Sequence, residues 1–307
     1  MITRFFSTSK PIHLVLVAIF SFFVFILSRM DRFNDAFSLV SLVQELALFL
    51  VLFVSISVLA FFVSKNNLTQ RNSYKILFFA LLLAIIPESI TFNNQLLANL
   101  FILLALRRLF SLRSNLRIKK KLFDAAFWIA VAALFHFWSV LFIALIFGSL
   151  LLFSIANLKH WIIPITGLLC VFLLVSCYYL IVDDSIVGLY GLIDAFNFDF
   201  SNYNDLSFII RLTIVLSFSI WATFFYIKGL NDKPKPLRSS HVLVIHTLII
   251  AVFVALLSPL KNGGEFVFLF APLAIIMANF VEGLSERWFS EIYIWLLILT
   301  PFIQFFL

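Results

Sequence analysis

The chain has 307 residues, 63% of them hydrophobic and 12% charged, with a mean hydropathy of +1.11. Soluble domains carry about 25% charged and about 45–50% apolar residues, so a soluble fold is excluded, and repeated apolar runs near 18–22 residues specify an all-α polytopic transmembrane helix bundle. The short alternating segments of a membrane barrel are absent. The net charge of +7 fits cytoplasmic loops beside the anionic headgroups of a lipid bilayer, and not nucleic acid.

The opening MITRFFSTSKP with the apolar run behind it has the layout of a signal peptide, with Arg4 and Lys10 as its charged region. The run is too long for one, and SRMDR follows without a small-residue cleavage pattern, so it reads as an uncleaved first span. Eleven spans are expected, at about 11–28, 39–63, 75–87, 95–110, 122–137, 138–157, 160–181, 206–228, 240–258, 264–281 and 290–306, in one integral membrane domain over 1–307. Loop 107–121 carries seven Lys and Arg, which assigns it to the cytoplasm. Threading from that loop puts the N-terminus inside and the C-terminus outside. It leaves 18 of the 22 basic residues on the inner side and ten of the 15 acidic residues on the outer side. A bacterial cytoplasmic (inner) membrane is the expected location.

Three successive apolar runs, 76–87, 96–106 and 123–137, are short for a crossing of about 20 residues. Either polar flanks finish the crossing, with tilted helices and snorkelling ends, or the polar turn 88–95 lies below the outer surface and lines a cavity open to the outside. Glu45, inside the second span, is expected to be buried and paired. Cys170 and Cys177 stand two turns apart on one helix face, too far for a disulfide, and read as packing residues. The longest outer segment, 183–206, is acidic and aromatic, and its SIVGLYGLIDAF stretch suits a short helix along the outer interface.

The threading collects a polar set on the outer side: Asp31, Arg32 and Asp35, then Glu88, Asn93 and Asn94, then His136, Arg211, Lys261, Asn262 and Glu265. Ionisable groups at membrane depth are costly and tend to face cavities. These groups supply carboxylates for base work, cations for a phosphate, and amides for sugar hydroxyls. Each also has a structural reading: a solvated loop at 31–35, a turn at Glu88, an interfacial ring at His136, a snorkelling Arg211, and a local ion pair of Lys261 with Glu265. The five histidines divide between the two faces, so no metal cluster is expected, and no cofactor motif, nucleophile elbow or Gly-rich phosphate loop is present. With eight glycines and 41 phenylalanines the chain packs through bulky groups, which disfavours a moving transporter.

Three stretches carry a resemblance over nearly the whole chain: MITRFFSTSKPIHLVL, NNQLLANLFILLALRRLF, and SPLKNGGEFVFLFAPLA with the Glu282 that follows. They resemble an uncharacterised family of bacterial polytopic inner-membrane proteins, a domain of unknown function sometimes named a beta-carotene monooxygenase; the scattered histidines disagree with that name. Residues 93–138, an amide-rich outer turn, a basic loop and a span ending in LFH, are similar to segments of exopolysaccharide polymerases and of GT-C type lipid-linked-sugar glycosyltransferases. The GT-C likeness implies an acidic base in the first outer loop, where Asp31 and Asp35 stand. The polymerases usually show an arginine where this chain has Asn93, Asn94 and Gln95.

Three functions remain open. The first is an enzyme on a polyprenyl-phosphate-linked glycan, with Asp31, Asp35 or failing them Glu88 as base. In it Arg32, Arg211 and Lys261 hold the phosphate, Asn93, Asn94 and His136 orient the sugar, and Glu265 completes the binding set. The second is a transporter or lipid flippase, and the third a non-catalytic scaffold of a membrane assembly whose protein partners the sequence does not name.

Overall fold

The computed structural model describes residues 1–30, 39–155 and 157–305, and among these every regular element is helical. The helices are α1 (Ile2–Phe6), α2 (Pro11–Ser28), α3 (Leu39–Lys65), α4 (Tyr74–Ile85), α5 (Glu88–Thr91) and α6 (Asn93–Phe110). They continue with α7 (Ile118–Phe135), α8 (Ile143–Leu152), α9 (Lys159–Val182), α10 (Leu206–Lys228), α11 (Lys235–Leu257), α12 (Val267–Gly283) and α13 (Arg287–Leu299). Local chemistry sets several boundaries. Pro11 opens α2 where its missing N–H costs nothing, and Asp205 caps α10 by accepting from the Phe208 amide at 2.9 Å.

Each of the eleven expected segments contains a helix, but seven helices among the described residues are long and apolar enough to cross a membrane. Of the three runs expected to be short, only α4 is, at 12 residues. The other two reach 18 residues each, because Asn93, Asn94 and Gln95 form the first turn of α6 and basic residues from Lys119 onward belong to α7. Polar side chains thus continue the helix past the apolar stretch that marks it in the sequence.

At the centre stand α4, buried at every residue, and α12, buried along nearly all its length. They pack together, with Phe79 meeting Phe270 edge-on at 6.4 Å. A helix that is apolar all round is stable only when enclosed on every side. Here α2 and α3 flank α4, α10 and α11 flank α12, and α6, α7 and α9 follow outward in that order. The outermost, α9, leaves Leu169, Phe172, Leu173 and Ile181 exposed along an apolar surface. Gly167 lets it approach α7, since a Cβ there would lie 2.8 Å from the Phe123 carbonyl oxygen and 2.8 Å from the Ala126 Cβ.

Loops 66–73, 107–121 and 284–286 gather at one end of the bundle, called the basic end below. Arg113 donates to the Asn66 carbonyl at 3.2 Å, Asn279 to the Leu68 carbonyl at 2.8 Å, and Asn72 to Glu282 at 2.6 Å. The connections 86–92, 136–142 and 258–266 lie at the opposite end. The SIVGLYGLIDAF stretch forms a short 3-10 helix over Val187–Leu192 with no buried residue.

Candidate functional site

The opposite end is built around the break between α4 and α6. Pro87 cannot continue α4, so the last carbonyls of that helix need donors from elsewhere. The Ser89 amide and hydroxyl take the Ile86 carbonyl at 3.0 and 2.6 Å, and the Arg211 Nη1 takes the Ile85 carbonyl at 2.9 Å. The same guanidinium grips Glu88 through both oxygens, at 2.7 and 3.3 Å. Arg211 is 4% exposed, so the pair holds a charge away from the surface, where it costs least when matched in this two-pronged way.

A second arginine grips the break from the other side. Arg29, at the end of α2, is 1% exposed. It donates to the Ile90 carbonyl at 3.1 and 2.6 Å, to the Thr91 carbonyl at 3.2 Å and to Asn93 Oδ1 at 2.7 Å. Its Nη1 binds both oxygens of Glu45, at 3.0 and 2.8 Å. Glu45 is therefore paired as expected, with Arg29 as its partner, but it is half-buried, its side chain 14% exposed. A carboxylate inside an apolar run demands a cation at its own depth, and the arginine that ends the preceding span was the available signal.

Turn 258–266 settles onto this break. Gly263 has φ +88°, and a Cβ on it would lie 2.7 Å from the Glu88 Cβ; one on Gly264 would lie 2.9 Å from the Gln95 Cδ. Two glycines are what let the backbone come so close. Lys261 turns inward and caps α11, donating to the Ala255 carbonyl at 2.9 Å and the Leu256 carbonyl at 2.6 Å, with the Phe200 ring 5.2 Å from its ammonium. Those carbonyls form the negative end of the helix, which accounts for Lys261 binding them and not Glu265. Burial pushes the Lys261 pKa down. Glu265 accepts from the Gly263 amide at 3.3 Å through one oxygen, while the other is buried without a partner among the described residues.

His136 ends α7, where the chain turns extended, and its ring stacks on Phe268 at 5.3 Å. It is 4% exposed, and its Nε2 has no partner among the described residues. The imidazole lines a cavity of about 520 Å³ together with Asn93, Asn94, Gln95, Asp194 and Asn262. Four side-chain amides, one imidazole and one carboxylate thus face one space. The set can donate to and accept from a neutral polar ligand and can move a proton at either Asp194 or His136.

Of the residues expected to form the site, Asn93, Asn94 and His136 line this cavity. Glu88 and Arg211 pair at the helix break without lining the cavity, and Lys261 and Glu265 belong to turn 258–266, of which Ser258, Leu260 and Asn262 do line it. Asp31, Arg32 and Asp35 lie outside the described residues. Asp194 is the lining group that no motif pointed to, because it sits in segment 183–205 far from the other members in sequence. Among the described residues no three His, Cys, Asp or Glu side chains are grouped to hold a metal.

No curated protein and no solved structure matches the chain. A family model does, over residues 1–307, and the chain accordingly belongs to the family of unknown function DUF6427.

Proposed function

We propose that this protein crosses the bacterial inner membrane eleven times, with its N-terminus in the cytoplasm and its C-terminus outside, and that the cavity at the outer end binds the sugar of a polyprenyl-phosphate-linked glycan. Supporting the threading, basic side chains of several loops collect at one end, where Arg113 meets Asn66 and Lys233 meets Asn279, while Lys261 lies in a turn at the other end.

The observation that carries the functional reading is the composition of the cavity wall: Asn93, Asn94, Gln95 and Asn262 beside His136 and Asp194. Side-chain amides pair donor and acceptor at the spacing of sugar hydroxyls, and none carries a charge that would demand a counter-ion. In this scheme one carboxylate, Asp31, Asp35, Glu88 or Asp194, takes the proton of the attacking sugar hydroxyl as the new glycosidic bond forms, the polyprenyl phosphate leaves with the electron pair of the bond that breaks, and His136 orients the sugar. A glycosyltransferase or glycan polymerase follows.

The test is retention of a polyprenyl-phosphate-linked saccharide by purified protein in liposomes. Asn94→Ala with His136→Ala is expected to lower retention about tenfold or more, as for two lost polar contacts, while polyprenyl phosphate without the sugar is retained as before. Equal retention of the saccharide by both proteins would refute the sugar site. For the chemistry, Asp31→Asn, Asp35→Asn, Glu88→Gln and Asp194→Asn, made singly, are expected to include at least one that stops glycan transfer with retention intact; transfer by all four removes the enzyme.

A further inference from the structure

At the basic end a second cavity, of about 590 Å³, has a different chemistry. Its wall carries the guanidinium groups of Arg4 and Arg287, the hydroxyls of Ser7 and Ser290, and the carboxylate of Glu282. That carboxylate is already committed, accepting from the Gln70 amide at 3.1 Å and from Asn72 Nδ2 at 2.6 Å. Neither Arg4 nor Arg287 donates to a protein group among the described residues, and both are exposed. The backbone that carries Arg4 is nevertheless held. Thr3, its neighbour, binds Glu291 through its amide at 3.0 Å and its hydroxyl at 2.6 Å, and the Tyr74 hydroxyl donates to the Thr3 carbonyl at 2.7 Å. Two cations are thus presented toward one space without carboxylate partners.

Next to this cavity lies an apolar groove of about 500 Å³ on the lipid-facing side. It runs along α2 from Leu16 to Ser28, with Leu77, Leu81 and Ala84 of the central helix α4 as its floor. At a rise of 1.5 Å per residue the stretch from Leu16 to Ser28 extends about 18 Å, slightly more than half of a hydrocarbon core near 30 Å. Cavity and groove meet twice. On α1 the cavity takes Thr3 and the groove Phe6, and on α4 the cavity takes Tyr74 and the groove Leu77. In each helix the two residues are three positions apart, about one turn.

We propose that this juxtaposition is a binding site for an anionic phospholipid, with the phosphate headgroup between Arg4 and Arg287 and one acyl chain along the groove against α4. Charge complementarity selects the headgroup, since Arg matches a phosphate with two parallel donors. The apolar lining selects a chain, and the groove opens where the bilayer would supply one, because Leu16, Phe20 and Leu27 are exposed. Basic pockets between spans on the cytoplasmic side hold acidic lipids by this combination.

The experiment is native mass spectrometry of delipidated protein in detergent, titrated separately with phosphatidylglycerol, phosphatidylcholine and inorganic phosphate. Wild-type protein is expected to retain phosphatidylglycerol about tenfold better than phosphatidylcholine, as two arginine contacts near a headgroup imply. Arg4→Gln with Arg287→Gln is expected to erase that preference, and Ala84→Leu, which pushes a side chain into the groove, to weaken both lipids. Retention of the two lipids to the same degree by wild-type protein overturns the proposal, as does an undiminished preference in the arginine double variant. Inorganic phosphate displacing phosphatidylglycerol at equal concentration, with Ala84→Leu without effect, assigns the cavity to a free anion and overturns the lipid.

Discussion

At the residue scale, the telling groups are two buried arginines. A guanidinium removed from water is expensive unless its donors are matched, and both are matched to the same short stretch between α4 and α6. Arg29 reaches the Ile90 and Thr91 carbonyls, and Arg211 reaches the Ile85 carbonyl and Glu88. The segment that walls the candidate sugar cavity is therefore held by charge from two sides. Arg29→Met should leave the Glu45 carboxylate without its cation and cost on the order of 3 kcal/mol, read as a lowered unfolding midpoint in detergent. Adding Glu45→Met should restore part of the loss, because an apolar pair replaces a stranded charge. A double variant no more stable than Arg29→Met alone would show that the arginine acts only through the backbone carbonyls. The sequence made half of this legible. A glutamate inside an apolar run announces a buried pair, but the partner depends on how two helices are set beside each other, and hydropathy carries no record of that. The same limit hid Arg211 and Glu88, which are 123 positions apart.

At the scale of elements, helix identity was legible and helix length was not. Apolar runs announced the helices, yet α6 and α7 begin in polar or basic residues that an apolar window discards. Packing in this chain rests on bulky groups, with Phe62 on Phe110 at 5.5 Å and Phe101 on Trp128 at 5.6 Å. One contact breaks that pattern. α9 lies close to α7 because position 167 has no side chain. Gly167→Ala should force the two helices apart and cost about 1–3 kcal/mol, the usual penalty for overpacking. Gly148→Ala is the matched comparison, since nothing lies within 4 Å of the Cβ it would add, and it should be neutral or stabilising by up to about 1 kcal/mol from helix propensity. Thermal unfolding of both variants decides the matter, and equal midpoints would mean that α9 yields without loss. The ordering matters for the site, because α7 delivers His136 and any rotation of α7 would carry the imbidazole-bearing end with it.

For the whole molecule, the hydropathy of a run does not tell whether lipid or protein surrounds it. An 18-residue stretch of α9 has mean hydropathy 2.4 with 11% of its residues buried, while one in the span containing α12 has mean hydropathy 1.9 with 94% of its residues buried. In water such a difference in burial would be written into the residue types, but a bilayer interior rewards the same side chains as a protein core. What remains legible is charge. Lys and Arg concentrate in the loops of one end, and the candidate sugar cavity opens at the other, so sidedness decides which compartment each cavity faces. With Cys170 and Cys177 replaced by Ala, single reporters Lys120→Cys and Asn197→Cys should separate cleanly in intact cells. A membrane-impermeant maleimide should label Asn197→Cys at once and Lys120→Cys only after the membrane is opened. The reverse pattern would turn the bundle over, placing the amide-lined cavity in the cytoplasm and the arginine-lined one outside. A glycan carried on the outer leaflet could then no longer reach Asn94 and His136, whatever their chemistry.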